Sequence, residues 1–197
     1  MLNLPELKYW AYKDGRLAYR EKGVGPTLFL LHGMNGSSQS WAYLFQSLAT
    51  SFHIVAWDAP GFGASDIFGD TIEELKSAAN ALMNALELKE PVIIGHSMGG
   101  VIALPLATDQ ETSVAGLILS STHLGFGHPK GTELLPRYAD RIEHINSKGA
   151  DIVYGIERAK RSTPPATSDT VIQFLAKIAA DSRMEGIRDG GRMSQEA

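Results

Sequence analysis

Short apolar runs alternate with stretches of helical period in the first part of the chain. Four runs are mostly apolar at consecutive positions, and they stand at Thr27–Leu31, His53–Trp57, 92–94 and 114–119. Continuous rather than alternating apolarity predicts strands buried on both faces, as in the middle of a parallel sheet. Residues 8–12 and 17–20 flank Lys13-Asp14-Gly15, and this pattern predicts a hairpin in front of those strands.

Helices are predicted between these strands. Residues 37–51 carry large apolar side chains at helical spacing, and Thr71 with Glu74 forms a capping-box pattern at the start of another helix. A third helix has to begin at Met98, directly after a strand. Alternation of parallel-type strands with helices predicts an α/β fold with a doubly wound, mostly parallel sheet.

The pattern changes after residue 122, where helical periods continue without a convincing strand. One helix is predicted over residues 133–147, with Gly149 beyond its end, and another follows Ser168. Residues 162–165, Ser-Thr-Pro-Pro, predict a break between them. We therefore expect an α/β core over residues 1–122 and a helical cap over residues 123–197.

Composition and charge exclude several classes of protein. A chain of 197 residues with 44% hydrophobic residues suits one domain, and a net charge of −4 gives no basic footprint for nucleic acid. There is no cysteine, and the longest apolar runs are too short to span a bilayer. The N-terminal residues lack a signal-peptide core, so we expect a cytoplasmic protein that binds neither nucleic acid nor membranes.

The sequence Gly95-His96-Ser97-Met98-Gly99 lies between a buried strand and a helix, and it predicts a nucleophile elbow. A sharp turn there would expose the Ser97 hydroxyl above the sheet. The N-terminus of the following helix, with the N–H of Met98, would stabilise a developing oxyanion. Because the G-x-S-x-G pattern is short and also occurs by chance, a structural glycine-rich helix start is the alternative interpretation.

A second glycine-bearing loop, His32-Gly33-Met34-Asn35-Gly36, follows the third predicted strand. Such a loop can turn a backbone N–H toward a carbonyl that Ser97 attacks. His32 could act in catalysis or brace the loop, and the pattern favours bracing. His96 is expected to point away from Ser97.

Three segments resemble the α/β-hydrolase superfamily: HGMNGSSQSW at 32–41, DAPGFGASD at 58–66 and GHSMGG at 95–100. In detail the chain is similar to esterases, enol-lactonases and carbon–carbon bond hydrolases of that superfamily. The resemblance implies that Ser97 is the nucleophile and that the N–H groups of Met34 and Met98 form the oxyanion hole. It also implies that the turn around Asp58 and Gly63 is structural.

The catalytic acid and base are missing from this pattern. The family order is Ser, then an acid, then His, and nothing after residue 122 has the pattern of the strands that precede the last two. About 60 residues, or two strand–helix units, are absent from the expected fold. The chain is then a fragment, or a companion chain completes it, or the triad has been lost. His123 follows the last predicted strand and is the best internal candidate for a base, although the pattern does not favour it.

Packing gives an independent reason to expect a further segment. Residues 114–119 are as apolar as an interior strand, yet they would form the edge of the sheet, where exposed apolar strands aggregate unless they are covered. We expect a C-terminal segment or a companion chain to pair there.

The cap is expected to set the specificity for a small-molecule substrate. Six apolar side chains suggest an acyl chain or ring, with a purely structural role as the alternative: Phe126, Leu134, Leu135, Tyr138, Tyr154 and Phe174. Four arginines could hold a substrate carboxylate, with a solvated face as the alternative: Arg137, Arg141, Arg158 and Arg161.

The leading hypothesis is hydrolysis of a small ester, lactone or related carbonyl compound through an acyl-enzyme at Ser97. The sequence has no metal or nucleotide signature, and this chemistry needs no cofactor. The rival is a ligand-binding pseudo-hydrolase without catalysis, which would explain the missing acid and base. A lyase or perhydrolase that uses the same serine stays open.

Overall fold

A six-stranded sheet lies at the centre of the computed structural model, which describes residues 3–109 and 112–197. The strands are β1 Leu7–Tyr12, β2 Gly15–Lys22, β3 Thr27–Leu31, β4 His53–Trp57, β5 Val92–His96 and β6 Gly116–Ser120. Their order across the sheet is β1-β2-β4-β3-β5-β6. β2 pairs antiparallel with β1 and β4, whereas β4, β3, β5 and β6 are parallel neighbours. The predicted α/β class and mostly parallel sheet are confirmed.

Seven α-helices occur in the described residues: α1 Ala42–Leu48, α2 Ile72–Ala85, α3 Met98–Thr108, α4 Pro136–Lys148, α5 Ile152–Ser162, α6 Asp169–Ala180 and α7 Met184–Glu196. A short 3-10 helix, Ser38–Trp41, precedes α1. The predicted capping box of Thr71 and Glu74 opens α2, and α3 begins at Met98 as predicted. None of the helices in this part of the chain is long and apolar enough to cross a membrane.

Strands β3 and β4 are buried on both faces, which explains why their apolar pattern is continuous, whereas Ile118 and Leu119 of β6 are exposed. Phe29 and Leu31 of β3 belong to one buried cluster, together with residues of α2 and α3. Leu28 and Leu30, the alternate positions, belong to a second cluster with Phe45 of α1. Successive side chains of a strand point to opposite faces, so the sheet is covered by helices on both sides.

Only helices follow β6 in the described residues, in agreement with the sequence pattern. The helix predicted over residues 133–147 begins at Pro136 instead, because proline suits the first position of a helix. Helix α6 begins directly after Ser168, and the predicted break at 162–165 coincides with the end of α5 at Ser162. Ile187 and Met193 of α7 are buried in the same cluster as the sheet, so α7 packs on the core. The boundary at residue 122 and the cap role of the helices that follow it stay predictions, and we refer to α4, α5 and α6 as the cap.

Candidate active site

Ser97 occupies a one-residue bend between β5, which ends at His96, and α3, which begins at Met98. Its backbone has φ 51 and ψ −120, a conformation that residues other than glycine rarely adopt. Gly99 permits the close approach of α3 to the end of β3, because a Cβ atom there would lie 2.1 Å from the Leu31 carbonyl oxygen. The bend predicted from the sequence is therefore present, with Ser97 partly exposed.

Backbone groups of Ser97 are held from three sides. Its N–H donates to the Ser120 carbonyl at 3.0 Å, at the end of β6. Its own carbonyl accepts from the Gly100 N–H at 2.9 Å and from the Thr122 hydroxyl at 2.7 Å. These contacts hold the strained backbone in place, since such conformations persist only where the surroundings over-determine them.

The loop after β3 approaches Ser97 closely at Gly33. A Cβ atom at Gly33 would lie 3.0 Å from Ser97 Cβ and 2.9 Å from His96 Nδ1, so no larger residue fits without displacement. Met34, the next residue, is partly buried against the core. The Met98 N–H occupies the first position of α3, where a helix leaves its N–H groups unused. Backbone donors beside Ser97 can stabilise a negatively charged oxygen, as the expected oxyanion hole requires.

His32 braces this loop. Its Nε2 accepts the Ala59 N–H at 2.9 Å, which leaves Nδ1 to donate to the Gly33 carbonyl at 2.8 Å. Burial lowers the pKa of His32, against the opposing effects of that hydrogen bond and of Asp58, so the ring is held in its neutral form. These contacts agree with the bracing role favoured by the sequence.

Asp58 fixes the neighbouring turn after β4. The side chain is buried, and its two oxygens accept the Ser38 N–H at 2.6 Å and the Ala64 N–H at 2.9 Å. The Ser65 hydroxyl donates to the Asp58 carbonyl at 2.6 Å. One carboxylate oxygen is therefore used inside the turn and the other at the start of the 3-10 helix, which agrees with the structural role implied by the resemblance.

Asn35 connects the loop after β3 with the cap, a role that the sequence did not indicate. Its backbone has φ 64, and its side-chain amide donates to the Tyr154 hydroxyl at 2.9 Å and to the Ser182 hydroxyl at 2.8 Å. Arg141 Nη1 lies 3.5 Å from Asn35 Oδ1, at the outer limit of a hydrogen bond. The segment beside Ser97 is thus tied to α4, α5 and the turn before α7.

An open cleft of about 420 Å³ lies between this loop, the segment around α1, and the cap helices α5 and α6. Gly33, Met34 and His96, which lie next to Ser97, line one end of the cleft, and Ser97 itself is not part of the lining. The cap contributes Leu175, Ile178 and Ala179 of α6 and Arg158, Ala159 and Ser162 of α5. The six apolar cap residues named from the sequence are not part of this lining, and Tyr138 and Tyr154 are buried inside the cap.

The histidines near Ser97 differ in what they contact. His96 is exposed and lines the cleft, so it belongs to the wall of the candidate site. His123 Nδ1 accepts the Gly125 N–H at 3.0 Å, and its ring stacks on Phe126 at 4.4 Å. In this arrangement the neutral ring keeps its proton on Nε2 and has no free lone pair for a proton from Ser97. His123 as a base stays a prediction that requires this hydrogen bond to break.

No histidine or carboxylate is hydrogen-bonded to the Ser97 hydroxyl within residues 3–109 and 112–197. The same residues contain no group of three or more histidine, aspartate or glutamate side chains placed to hold a metal ion. The site therefore consists of the Ser97 bend, two candidate backbone donors and a cleft.

The family assignment rests on this bend, its surroundings and a match over most of the core. A model of the α/β-hydrolase fold family matches residues 26–142, more than half of the chain. The chain belongs to the α/β-hydrolase family. That match includes the loop at Gly33, the turn at Asp58 and the bend at Ser97.

Known proteins resemble this α/β-hydrolase over part of their lengths. A pimeloyl-[acyl-carrier protein] methyl ester esterase from Pseudoalteromonas atlantica is 34% identical over 106 residues, which are 54% of this chain and 41% of that relative. The chain spans less than half the length of the curated relatives it matches.

Solved structures show the same fold. A hydrolase from Pseudomonas aeruginosa has a TM-score of 0.80 and 22% identity, with 98% of this chain and 73% of that one covered. The enol-lactonase from Burkholderia xenovorans has a TM-score of 0.75 and 22% identity, with 96% of this chain and 74% of that one covered. At these identities the likeness concerns the fold of this α/β-hydrolase.

Proposed function

We propose that this α/β-hydrolase is a serine hydrolase that cleaves a small ester, lactone or related carbonyl compound through an acyl-enzyme at Ser97. The observation that carries the proposal is the strained backbone of Ser97, φ 51 and ψ −120, on a bend beside Gly33. A protein gains nothing in stability from a non-glycine residue in that conformation, so its presence favours a role in chemistry.

The reaction follows from the placement of the donors. The Ser97 oxygen would bond to the substrate carbonyl carbon while its proton passes to a base, and the carbonyl oxygen would become an oxyanion. The N–H groups of Met34 and Met98 would hold that oxygen, and each such donor contributes about 3 kcal/mol of transition-state stabilisation. The alcohol then leaves with a proton, and water releases the acid from the acyl-enzyme.

The base and acid would come from a polypeptide segment that pairs with β6. β6 is the last strand of the sheet, and Ile118 and Leu119 are 51% and 41% exposed on it. The similar solved structures are longer than this chain, which covers 73% and 74% of them. A further parallel strand at this position would bring its carboxyl end, and the loop after it, to the edge where Ser97 lies.

Two of the similar proteins support an ester or lactone as the class of substrate. The relative from Pseudoalteromonas is a methyl ester esterase and one structural neighbour is an enol-lactonase. Both reactions transfer an acyl group from an oxygen, so the same nucleophile and oxyanion hole would serve either substrate.

The test is covalent labelling with a fluorophosphonate probe, followed by mass spectrometry and a p-nitrophenyl ester assay. With the segment that pairs with β6 present, the protein should be labelled at Ser97, and Ser97→Ala should lose the label and lower turnover by about 10³-fold or more. Ser113→Ala is the matched control, because Ser113 is exposed beyond the opposite end of β6. Turnover that is unchanged in Ser97→Ala protein would contradict the proposal.

A second candidate, a ligand-binding protein without catalysis, is favoured by one observation: no described residue offers a base to Ser97. Hydrolysis and ligand binding without catalysis are distinguished by assaying the protein with the segment that pairs with β6 present. If the protein is neither labelled nor active on the ester under that condition, the result supports the ligand-binding function.

A further inference from the structure

A cluster of arginines lies behind the cleft, between α4 and α5. It borders a cavity of about 250 Å³ that two carboxylates, a histidine and a tyrosine also line. The charged residues of this cavity are Arg137, Arg141, Arg158, Arg161, Asp140 and Glu157. The four guanidinium groups outnumber the two carboxylates, so the cavity has a positive excess.

Only one of these arginines has an ion pair in the described part of the chain. Arg161 lies 3.1 Å from Glu157, and both side chains are largely exposed. Arg137 instead rests over the Phe126 ring, at 4.8 Å from its centroid. Arg141 and Arg158 have no carboxylate within 4.0 Å among residues 3–109 and 112–197.

Arg141 has weak partners, and its guanidinium lies over the Tyr138 ring at 5.9 Å from the centroid. Its Nε atom is buried without a hydrogen-bond partner, and its Nη1 makes only the 3.5 Å contact with Asn35. Burial lowers the pKa of Arg141, and the neighbouring Arg158 lowers it further. A buried cation without a counter-charge is costly, and a bound carboxylate would supply both the charge and the missing acceptors.

Arg158 joins this cavity to the candidate active site. The same side chain lines the cleft that contains Gly33, Met34 and His96, and it is half-buried between the two spaces. A ligand in the cleft can therefore place one end beside Gly33 and His96, which adjoin Ser97, and its other end beside Arg158.

We propose that Arg141 and Arg158 form an anion subsite that binds a carboxylate of the substrate at the cap side of the cleft. The preferred substrate is then an ester or lactone with a free carboxylate remote from the carbonyl that reacts. The position of the reacting carbonyl rests on the proposed function, whereas binding of the carboxylate does not depend on it.

The test measures binding by isothermal titration calorimetry in Ser97→Ala protein, which cannot turn over the probes. Monomethyl adipate is the anionic probe and dimethyl adipate is its uncharged analogue. The anionic probe should bind about tenfold more tightly, and added salt should reduce that preference. Because no reaction is involved, a failure here is distinct from a failure of Ser97 labelling.

Substitutions of the arginines test whether the preference for the anionic probe comes from the proposed subsite. Arg158→Gln should reduce it to about twofold or less, and Arg158→Lys should retain part of it, since a single ammonium replaces a two-pronged guanidinium. Lys160→Gln is the matched control, because Lys160 is exposed on the same helix and lines neither the cavity nor the cleft. Melting curves show whether each variant is folded. If Arg141→Gln does not fold, the result for Arg158→Gln decides the test, because Arg158 is only half-buried.

Three results would overturn the proposal. The first is equal affinity for the two probes, and the second is a preference that persists in Arg158→Gln protein. The third is displacement of monomethyl adipate by inorganic phosphate at a lower concentration than by acetate, which would assign the subsite to a phosphate instead.

Discussion

Ser97 combines a partly exposed hydroxyl with a backbone conformation that costs free energy. Residues other than glycine at such φ and ψ values are disfavoured by about 1–3 kcal/mol. The hydrogen bonds from Ser97 N–H to Ser120 and from Thr122 to the Ser97 carbonyl keep the bend in place despite this cost. The strain should therefore be measurable as a difference in stability.

Ser97→Gly should be more stable to unfolding than Ser97→Ala by about 1–2 kcal/mol. Both variants lose the hydroxyl, but only glycine adopts φ 51 and ψ −120 without a steric penalty. The measurement is the free energy of unfolding from urea titrations of the two variants. Equal stabilities would show that the bend is not strained.

The separate parts of this site could be predicted from the sequence, because each part is formed by residues that lie close together along the chain. The bend at Ser97 depends on glycines within two positions, and the brace at His32 depends on the adjacent Gly33. The link from Asn35 to Tyr154 and Ser182 joins residues that are 119 and 147 positions apart. No periodicity or spacing in the sequence reports such contacts.

The strands were predicted closely and the cap helices less so, for a reason that α7 illustrates. This helix contains Gly186, Gly190 and Gly191, each of which lowers intrinsic helix propensity. Its formation depends on tertiary contacts, since all three glycines are buried against the core or α4. Such packing overrides local propensity, and the sequence alone does not show it.

Gly186→Ala should destabilise the protein by about 1–2 kcal/mol, although alanine favours a helix by up to about 1 kcal/mol. A Cβ atom at Gly186 would lie 2.3 Å from the Gly61 carbonyl oxygen, so α7 or that turn has to move. Thermal or urea unfolding measures the change.

Gly116→Ala is the control for this substitution. A Cβ atom at Gly116 would meet Val92 side-chain atoms at 3.9 and 4.0 Å, which is ordinary contact. This variant should stay within about 0.5 kcal/mol of the parent protein. If Gly186→Ala is as stable as Gly116→Ala, close docking of α7 is not required.

At the scale of the whole molecule, the sheet has an uncovered edge at β6. The strand pairs with β5 on one side, and in the described residues no strand lies on its other side. Ile118 and Leu119 are among the most exposed large apolar side chains of the sheet. An uncovered apolar edge is a template for pairing with another chain.

Ile118→Lys should therefore lower the aggregation of the 197-residue chain at equal concentration, because a charge on an edge strand opposes strand addition. Light scattering during incubation measures the effect. Val153→Lys is the control, since Val153 is 66% exposed on α5, away from any strand edge. Equal protection by the two substitutions would mean that β6 is not the aggregating surface.

The hydrogen bonds of the Asn35 side chain couple the position of the cap to that of the residues around Gly33. An outward swing of α5 would pull Tyr154 from Asn35, and the backbone that follows Met34 would lose its tether. A compound too bulky for the cap to close over it would still enter the cleft, but it would displace the Met34 N–H that we propose as an oxyanion donor. Discrimination against oversized substrates would then show in the catalytic rate more than in affinity.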